Sequence, residues 1–273
     1  GDNMTSSSIN APWYQGPSLM QHLESVPIDD AQDDAPLRMP VQWVNRPNLD
    51  FRGFSGRILG GSVRPGDAIR VLPSGKISTV ERIVTLGGDL GVATTGQSVT
   101  LTLSDEIDIS RGDVIASADA PPAVADQFEA TVVWMAEQAM LPGRGYLVKM
   151  GASTVGATLS PPKYQIDVNS LDQLPARTLE LNEIGVCTLS LDRATAFDPY
   201  AENRDMGSFI IIDRYSNQTV GAGMLHFALR RSQNIHWQAL EVDKQARGRL
   251  NGHKPCVLWL TGLSGAGKST IAN

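Results

Sequence analysis

A mainly β protein, with two small barrels or sandwiches in series, is what this chain of 273 residues predicts, and three observations carry the prediction. Turn-forming groups of Gly, Pro, Asn and Asp recur at short intervals between about residues 36 and 227. Between them apolar and polar residues alternate, which is the two-residue period of a half-buried strand. A Pro- and Ala-rich break, "ADAPPAVAD", then divides the run into two blocks. Short strands at regular spacing with frequent turns favour small closed or packed sheets over helical or α/β layouts.

Four segments follow in order. Residues 1–35 read as a short helix and a linker. Leu19, Met20, Leu23 and Val26 fall at helical spacing in "PSLMQHLESV", and Pro27 forbids much continuation. Asp29, Asp30, Asp33 and Asp34 lie among Pro, Ala and Gln with no ligand-bearing turn or partner histidine, so they read as a solvated linker and not as a metal site. Residues 36–120 form the first β block. Gly60-Gly61, Pro65-Gly66-Asp67 and Pro73-Ser74-Gly75 are each able to reverse the chain. Ile69 and Val71 alternate with polar neighbours, as do Val99, Leu101 and Leu103 in "SVTLTL". Residues 125–228 form the second block. Cys187, Leu189 and Leu191 alternate with Thr188, Ser190 and Asp192, while "SFIIID" reads as a strand buried on both faces. Pro161-Pro162, Asp198-Pro199 and Ser216-Asn217 supply the turns. Residues 229–273 change character. Val242, Ala246 and Leu250 recur at i, i+4 and i+8, Asp243 precedes Arg247 by four, and Gly252 and Pro255 lie just past the end of this predicted amphipathic helix. "CVLWLT" then has the continuous apolarity of a covered parallel strand.

Charge narrows the choice of partners. The net charge of -6 resides in residues 1–37, which hold six acids and no Lys or Arg. Residues 228–254 hold six bases and two acids, a modest excess on a predicted helix that reads as a solvated face. Nucleic-acid binding is therefore not expected. No apolar stretch approaches the roughly 20 residues of a membrane span, and no basic-then-apolar leader opens the chain, so a cytoplasmic protein without membrane association is expected. Cys187 and Cys256, far apart in apolar runs, read as buried free thiols. His22, His226, His236 and His253 have no metal-ligand spacing and are expected to be surface or capping residues.

One motif carries chemistry. Gly262, Leu263, Ser264, Gly265, Ala266, Gly267, Lys268 and Ser269 fit G-x-x-x-x-G-K-[ST] in full, with an apolar strand before them and Thr270 opening a helix after them. Glycines let successive backbone N–H groups converge on phosphate oxygens, and the following helix presents its positive end to the same anion. Lys268 is placed to stabilise the β- and γ-phosphates of ATP, and the Ser269 hydroxyl to ligate Mg²⁺. Only Thr270 to Asn273 follow, without an acidic second strand, lid or acceptor site, so this stretch is expected not to transfer phosphate by itself.

"GRILGGSVRPGDAIRVLP", "GQSVTLTL" and "ISRGDVIAS" resemble the second, β-barrel domain of elongation factor Tu-type GTPases, and "RDMGSFIIIDRYSNQTVGAGML" resembles the closing strands of their third domain. The opening "GDNMTSSSINAPWYQGPSLMQHLESV" is similar to the end of the GTPase domain in the large subunit of bacterial sulfate adenylyltransferase. "NIHWQALEVDKQARGRLNGHKPCVLWLTGLSGAGKSTIAN" is similar to the start of adenylylsulfate kinase. Together they resemble the bifunctional sulfate-activating family in which the two are fused. The resemblance implies two barrels of the translation-factor type between the end of a GTPase domain and the truncated start of a kinase. It also implies GTP bound upstream of Gly1, ATP and Mg²⁺ at residues 262–270, and a small catalytic partner subunit that adenylylates sulfate. Adenylylsulfate would be the kinase substrate. The competing reading is a translation-factor-like RNA-binding or protein-interaction barrel module. Against its RNA form, residues 38–227 hold fewer bases than acids.

Overall fold

In the computed structural model of this chain, residues 2–26, 34–48 and 50–231 are described. They belong to a compact unit running from Gly1 to Ser232. The second unit, Gln233–Asn273, lies outside the described residues, and with it the predicted closing helix, the strand and the phosphate loop. The Asp29–Asp33 part of the linker lies outside them as well.

The opening helix forms as α1, Leu19–Ser25. A capping box starts it: the Ser18 hydroxyl accepts from the Gln21 amide, and the Gln21 side chain accepts from the Ser18 amide, which satisfies two N–H groups that a first helical turn leaves unpaired. Its apolar residues Leu19, Met20 and Leu23 are exposed, so the predicted periodicity gives a helix without a buried face among the described residues.

The first β block consists of β1 (Arg38–Asn45), β2 (Gly53–Arg57), β3 (Ser62–Val63), β4 (Ala68–Leu72), β5 (Ile77–Thr85), β6 (Gly88–Leu90), β7 (Ala93–Thr94), β8 (Ser98–Leu103) and β9 (Val114–Ser117). Hydrogen-bonded neighbours run β4-β9-β1-β2-β8-β5, and β5 pairs back onto β4 through Ala68↔Thr79 and Ile69↔Ser78. Six antiparallel strands thus close into a barrel, which leaves no unpaired edge within the ring. The predicted turns are where glycine punctuation places them: Gly61, Gly66 and Gly75 all have left-handed φ. At Gly61 the demand is double, because φ is +72° and a Cβ would fall 2.4 Å from the Ala35 carbonyl oxygen and 2.7 Å from the Leu37 nitrogen.

The second block consists of β10 (Ala123–Trp134), β11 (Gly145–Met150), β12 (Ser153–Leu159), β13 (Tyr164–Ile166), β14 (Gln173–Leu174), β15 (Ile184–Phe197), the single turn α2 (Arg204–Gly207), β16 (Ser208–Asp213) and β17 (Thr219–Arg231). The ring β10-β17-β16-β11-β12-β15 closes through ten residue pairs between β15 and β10, from Ala123↔Phe197 to Val133↔Ile184. Its core holds Phe128 and Phe197 edge to face, with centroids 4.8 Å apart, and Trp134 and Tyr146 likewise at 5.8 Å. Both polar ring atoms are satisfied: Trp134 Nε1 donates to the Gln138 carbonyl at 2.7 Å, and the Tyr146 hydroxyl accepts from the Leu141 amide at 3.1 Å.

One strand reading is corrected. "SFIIID" forms β16 but is not buried on both faces: Phe209, Ile211 and Asp213 are buried while Ser208, Ile210 and Ile212 are partly exposed. Continuous apolarity misleads here because the outward side of β16 carries isoleucines on a barrel wall that no layer covers.

The two barrels share a junction. In β1, Met39 and Val41 point into the first barrel, while Arg38 and Pro40 are also buried, against the second. In β9, Ile115 belongs to the first core, whereas Val114 and Ala116 join Leu72, Val124, Ala196 and Met206 in a separate apolar cluster. The alternation fails where a strand has neighbours on both sides, which explains the runs of consecutive buried residues. The Leu, Val and Met side chains contribute roughly 1.5–3 kcal/mol each when fully buried, and the alanines less. The crevice left between the barrels is only about 20 Å³. No helix among the described residues is long and apolar enough to cross a membrane.

Candidate functional site

The junction also holds the most enclosed ion pair among the described residues. Arg38 on β1 meets Asp198, just after β15, in a two-point contact: Nε to Oδ2 at 2.7 Å and Nη2 to Oδ1 at 3.2 Å. Its Nη1 donates to the carbonyls of Ala120 (2.8 Å) and Leu37 (3.0 Å), so the guanidinium fork is used on three sides. Asn203 strengthens the same seam. Its side-chain oxygen caps α2 by accepting from the Met206 amide, and its Nδ2 donates to the Leu59 carbonyl of the first barrel at 3.0 Å. These contacts span 160 and 144 residues of sequence, and no local pattern announces them.

On the outer wall of the second barrel, Glu129 pairs with Lys163, whose ammonium holds the Glu129 carboxyl below the usual carboxylate range. His226 contacts Thr131 Oγ1 through Nε2 at 2.8 Å and lies 3.5 Å from Glu129. It is the surface histidine that the sequence predicts. At the β16–β17 turn the amides of Ser216 and Tyr215 hold the Asp213 carboxyl low, and Arg144 reaches its other oxygen at 2.6 Å. Arg144 lies over the rings of Tyr146 and Tyr215.

The sign of this shift fixes a pH effect. A carboxyl depressed on folding stabilises in full above the ordinary carboxylate range, and that stability is lost as pH falls through the folded value. Asp213→Asn is therefore expected to lower the urea midpoint at about pH 7 and to flatten its fall between about pH 5 and pH 3. An acid limb as steep as that of the wild type would contradict this.

None of these groups forms a catalytic constellation. Cys187 is buried in β15, and burial pushes its thiol up to about 12, so it carries no usable thiolate near neutrality. Among the described residues no group of three or more His, Cys, Asp and Glu is arranged to hold a metal ion. An open groove of about 480 Å³ on the outer wall of the second barrel has Ile210, Ala222 and Met224 in its lining and Lys149 as its one cation, so it lacks the converging donors of a phosphate site. Every candidate site residue, Gly262 to Thr270 with Lys268 and Ser269, lies outside the described residues. The described portion offers instead two closed barrels joined by a buried salt bridge and an apolar seam.

That architecture is the translation-factor type of barrel pair. The family model for the GTP-eEF1A C-terminal domain-like group matches residues 127–226. The crystal structure of Sup35 complexed with GDP superposes with a TM-score of 0.68 at 20% identity, over 84% of this chain and 57% of that one.

Whole-chain relatives carry the comparison further. The homologues of this chain are bifunctional NodQ and CysN/CysC enzymes and sulfate adenylyltransferase subunit 1. The bifunctional enzyme CysN/CysC of Xylella fastidiosa (strain Temecula1) is 54% identical over all of this chain, which spans 44% of its length. The bifunctional enzyme NodQ of Rhizobium sp. (strain N33) is 53% identical, again over the whole chain, and 42% of its length is spanned. Sulfate adenylyltransferase subunit 1 of Aeromonas hydrophila subsp. hydrophila is 47% identical over 90% of this chain and 56% of its own length. The chain thus spans about half the length of the curated relatives it matches.

Proposed function

We propose that this chain is part of a sulfate-activating enzyme in which GTP-driven synthesis of adenylylsulfate from ATP and sulfate is joined to an ATP-dependent kinase that makes 3′-phosphoadenylylsulfate. On this reading residues 1–35 close a GTPase domain, 36–120 and 125–228 are its second and third, barrel domains, and 229–273 link to and open the kinase. Gly262 to Thr270 cradle ATP, with Lys268 against the β- and γ-phosphates and Ser269 on Mg²⁺. The barrels position the GTPase against the small subunit that adenylylates sulfate, in the cytoplasm, and the stretch itself is inactive alone.

The observation that carries this reading is the match of the whole of this chain to part of the bifunctional relatives, taken with the complete phosphate-loop motif near residue 268. Subunit 1 of Aeromonas matches over 90% of the chain. An RNA-binding barrel module is not favoured, because the barrels carry fewer bases than acids.

The test uses the full-length protein with its small subunit and compares wild type with Lys268→Ala. ATP-dependent 3′-phosphorylation of adenylylsulfate is expected to fall by at least about a hundredfold, while adenylylsulfate synthesis persists. Survival of both activities would remove residues 262–270 from the catalytic cradle.

A further inference from the structure

Among the described residues, the end of the second barrel at which β10 finishes and β15 begins is closed but not covered. Inside it, Trp134, Met140, Tyr146 and Leu179 fill the mouth, each 2% exposed or less. Outside the plug stand Met135, Leu141, Val168, Leu171, Leu174 and Leu181, all at least 41% exposed, with Leu171 at 75%. Pairing places them at one end, since Ile184 faces both Val133 and Ile166, and the β13–β14 hairpin therefore projects past the start of β15 beside residues 135–141.

Their exposure does not come from loose packing. The Met140 amide donates to the Leu179 carbonyl, the Asn182 amide to the Trp134 carbonyl, and the Thr178 hydroxyl to the Met140 carbonyl, so the loops that carry Met135, Leu141 and Leu181 are tied to each other. The hairpin tip is tied by the Leu171 amide to the Asp167 carbonyl, which sets Leu171 at φ +64°, a left-handed geometry rare for a leucine. The interior is full, so these side chains have no inward alternative.

Charge says what covers them. Glu137, Asp167, Asp172, Glu180 and Glu183 lie in the same loops; of the two bases there, Arg144 is bound to Asp213, which leaves Arg177. An acidic rim repels nucleic acid and anionic lipid, and a second copy docked by the same end would set carboxylates against carboxylates. A cationic protein segment with one apolar face has neither conflict. We propose that this end of the second barrel is a docking surface for such a basic, amphipathic segment of a partner protein, with the leucines as apolar anchors and the carboxylates as the steering rim.

The proposal stands independently of the sulfate-activation reading, because it uses only the described barrel. Its test titrates the full chain against a fluorescent amphipathic Leu/Lys peptide and its Leu/Glu counterpart, by anisotropy. The Leu/Lys peptide is expected to bind, more weakly as salt rises, and the Leu/Glu peptide not to bind. Leu171→Asp combined with Leu181→Asp is expected to weaken binding by at least about tenfold without lowering the melting temperature, because both side chains are solvent-exposed. Leu86→Asp combined with Val92→Asp, an equal charge change at exposed positions of the first barrel, is expected to leave binding unchanged. Equal loss in the first-barrel variant, or none in the Leu171 and Leu181 variant, would overturn the proposal. So would a concentration-dependent dimer in sedimentation that Leu171→Asp abolishes, which would make the occupant a second copy.

Discussion

Asp198→Ala is expected to destabilise the barrel pair by about 3–5 kcal/mol, the range for removing one partner of a buried ion pair. The size follows from what remains behind. Both side chains are close to nine-tenths buried, and Arg38 would keep its carbonyl contacts to Ala120 and Leu37 but lose both carboxylate contacts. An uncompensated guanidinium would then remain buried at the barrel junction. Replacing both partners, Arg38→Met with Asp198→Leu, is expected to cost less than the single change, because no charge is stranded. A cost of about 1–3 kcal/mol remains for the unpaired carbonyls. Urea unfolding of the wild type and the two variants measures this. A double variant as unstable as Asp198→Ala would mean that the pair itself, and not the stranded charge, sets the energy.

The same pair marks the limit of what the sequence discloses. Turn chemistry was legible residue by residue: Gly61, Gly66 and Gly75 adopt left-handed φ where Gly and Pro cluster, and Asn217 does so at the predicted Ser216-Asn217 turn. Alternation correctly gave the inward faces of Ile69, Val71, Val99, Leu101, Leu189 and Leu191. It failed where a strand touches more than one environment. β1 is buried on both sides at the junction, and β16 carries isoleucines on an uncovered wall. Arg38 and Asp198 lie 160 residues apart, and neither belongs to a local motif, so only the closed topology brings them together. The apolar barrel end was hidden for a related reason. Its apolar residues come from three separate stretches, 135–141, 168–174 and 181, that share no local pattern, and only strand register shows that they share one end. The phosphate-loop motif is the opposite case, since its eight contiguous residues raise an expectation of chemistry without any tertiary information, and they lie outside the described residues.

Two glycine substitutions that look alike on steric grounds are expected to differ sharply. At Gly156 on β12 a Cβ would fall 1.8 Å from Asp192 Oδ2 and 2.6 Å from Arg214 Nη2. Those atoms are the ends of exposed side chains whose ion pair spans 3.7 Å, so they can swing aside at a loss of about 0–1 kcal/mol. Alanine in a strand interior recovers about 0.5–1 kcal/mol relative to glycine, and Gly156→Ala should fall within about 1 kcal/mol of wild type. At Gly207, the last residue of α2, the Cβ would meet the Tyr200 nitrogen at 2.3 Å, its Cα at 2.4 Å and the Asp198 carbonyl oxygen at 2.8 Å. All three are backbone, so either the helical turn or the 198–200 segment must move. The usual gain of alanine over glycine in a helix, about 1 kcal/mol, is smaller than the cost of such overpacking, which reaches about 3 kcal/mol. Gly207→Ala should therefore be destabilising by about 2–3 kcal/mol. The segment it displaces presents Asp198 to Arg38, so combining Gly207→Ala with Asp198→Ala should cost less than the sum of the two single changes. Strict additivity in urea titrations would show that α2 and the salt bridge act as separate supports of the junction.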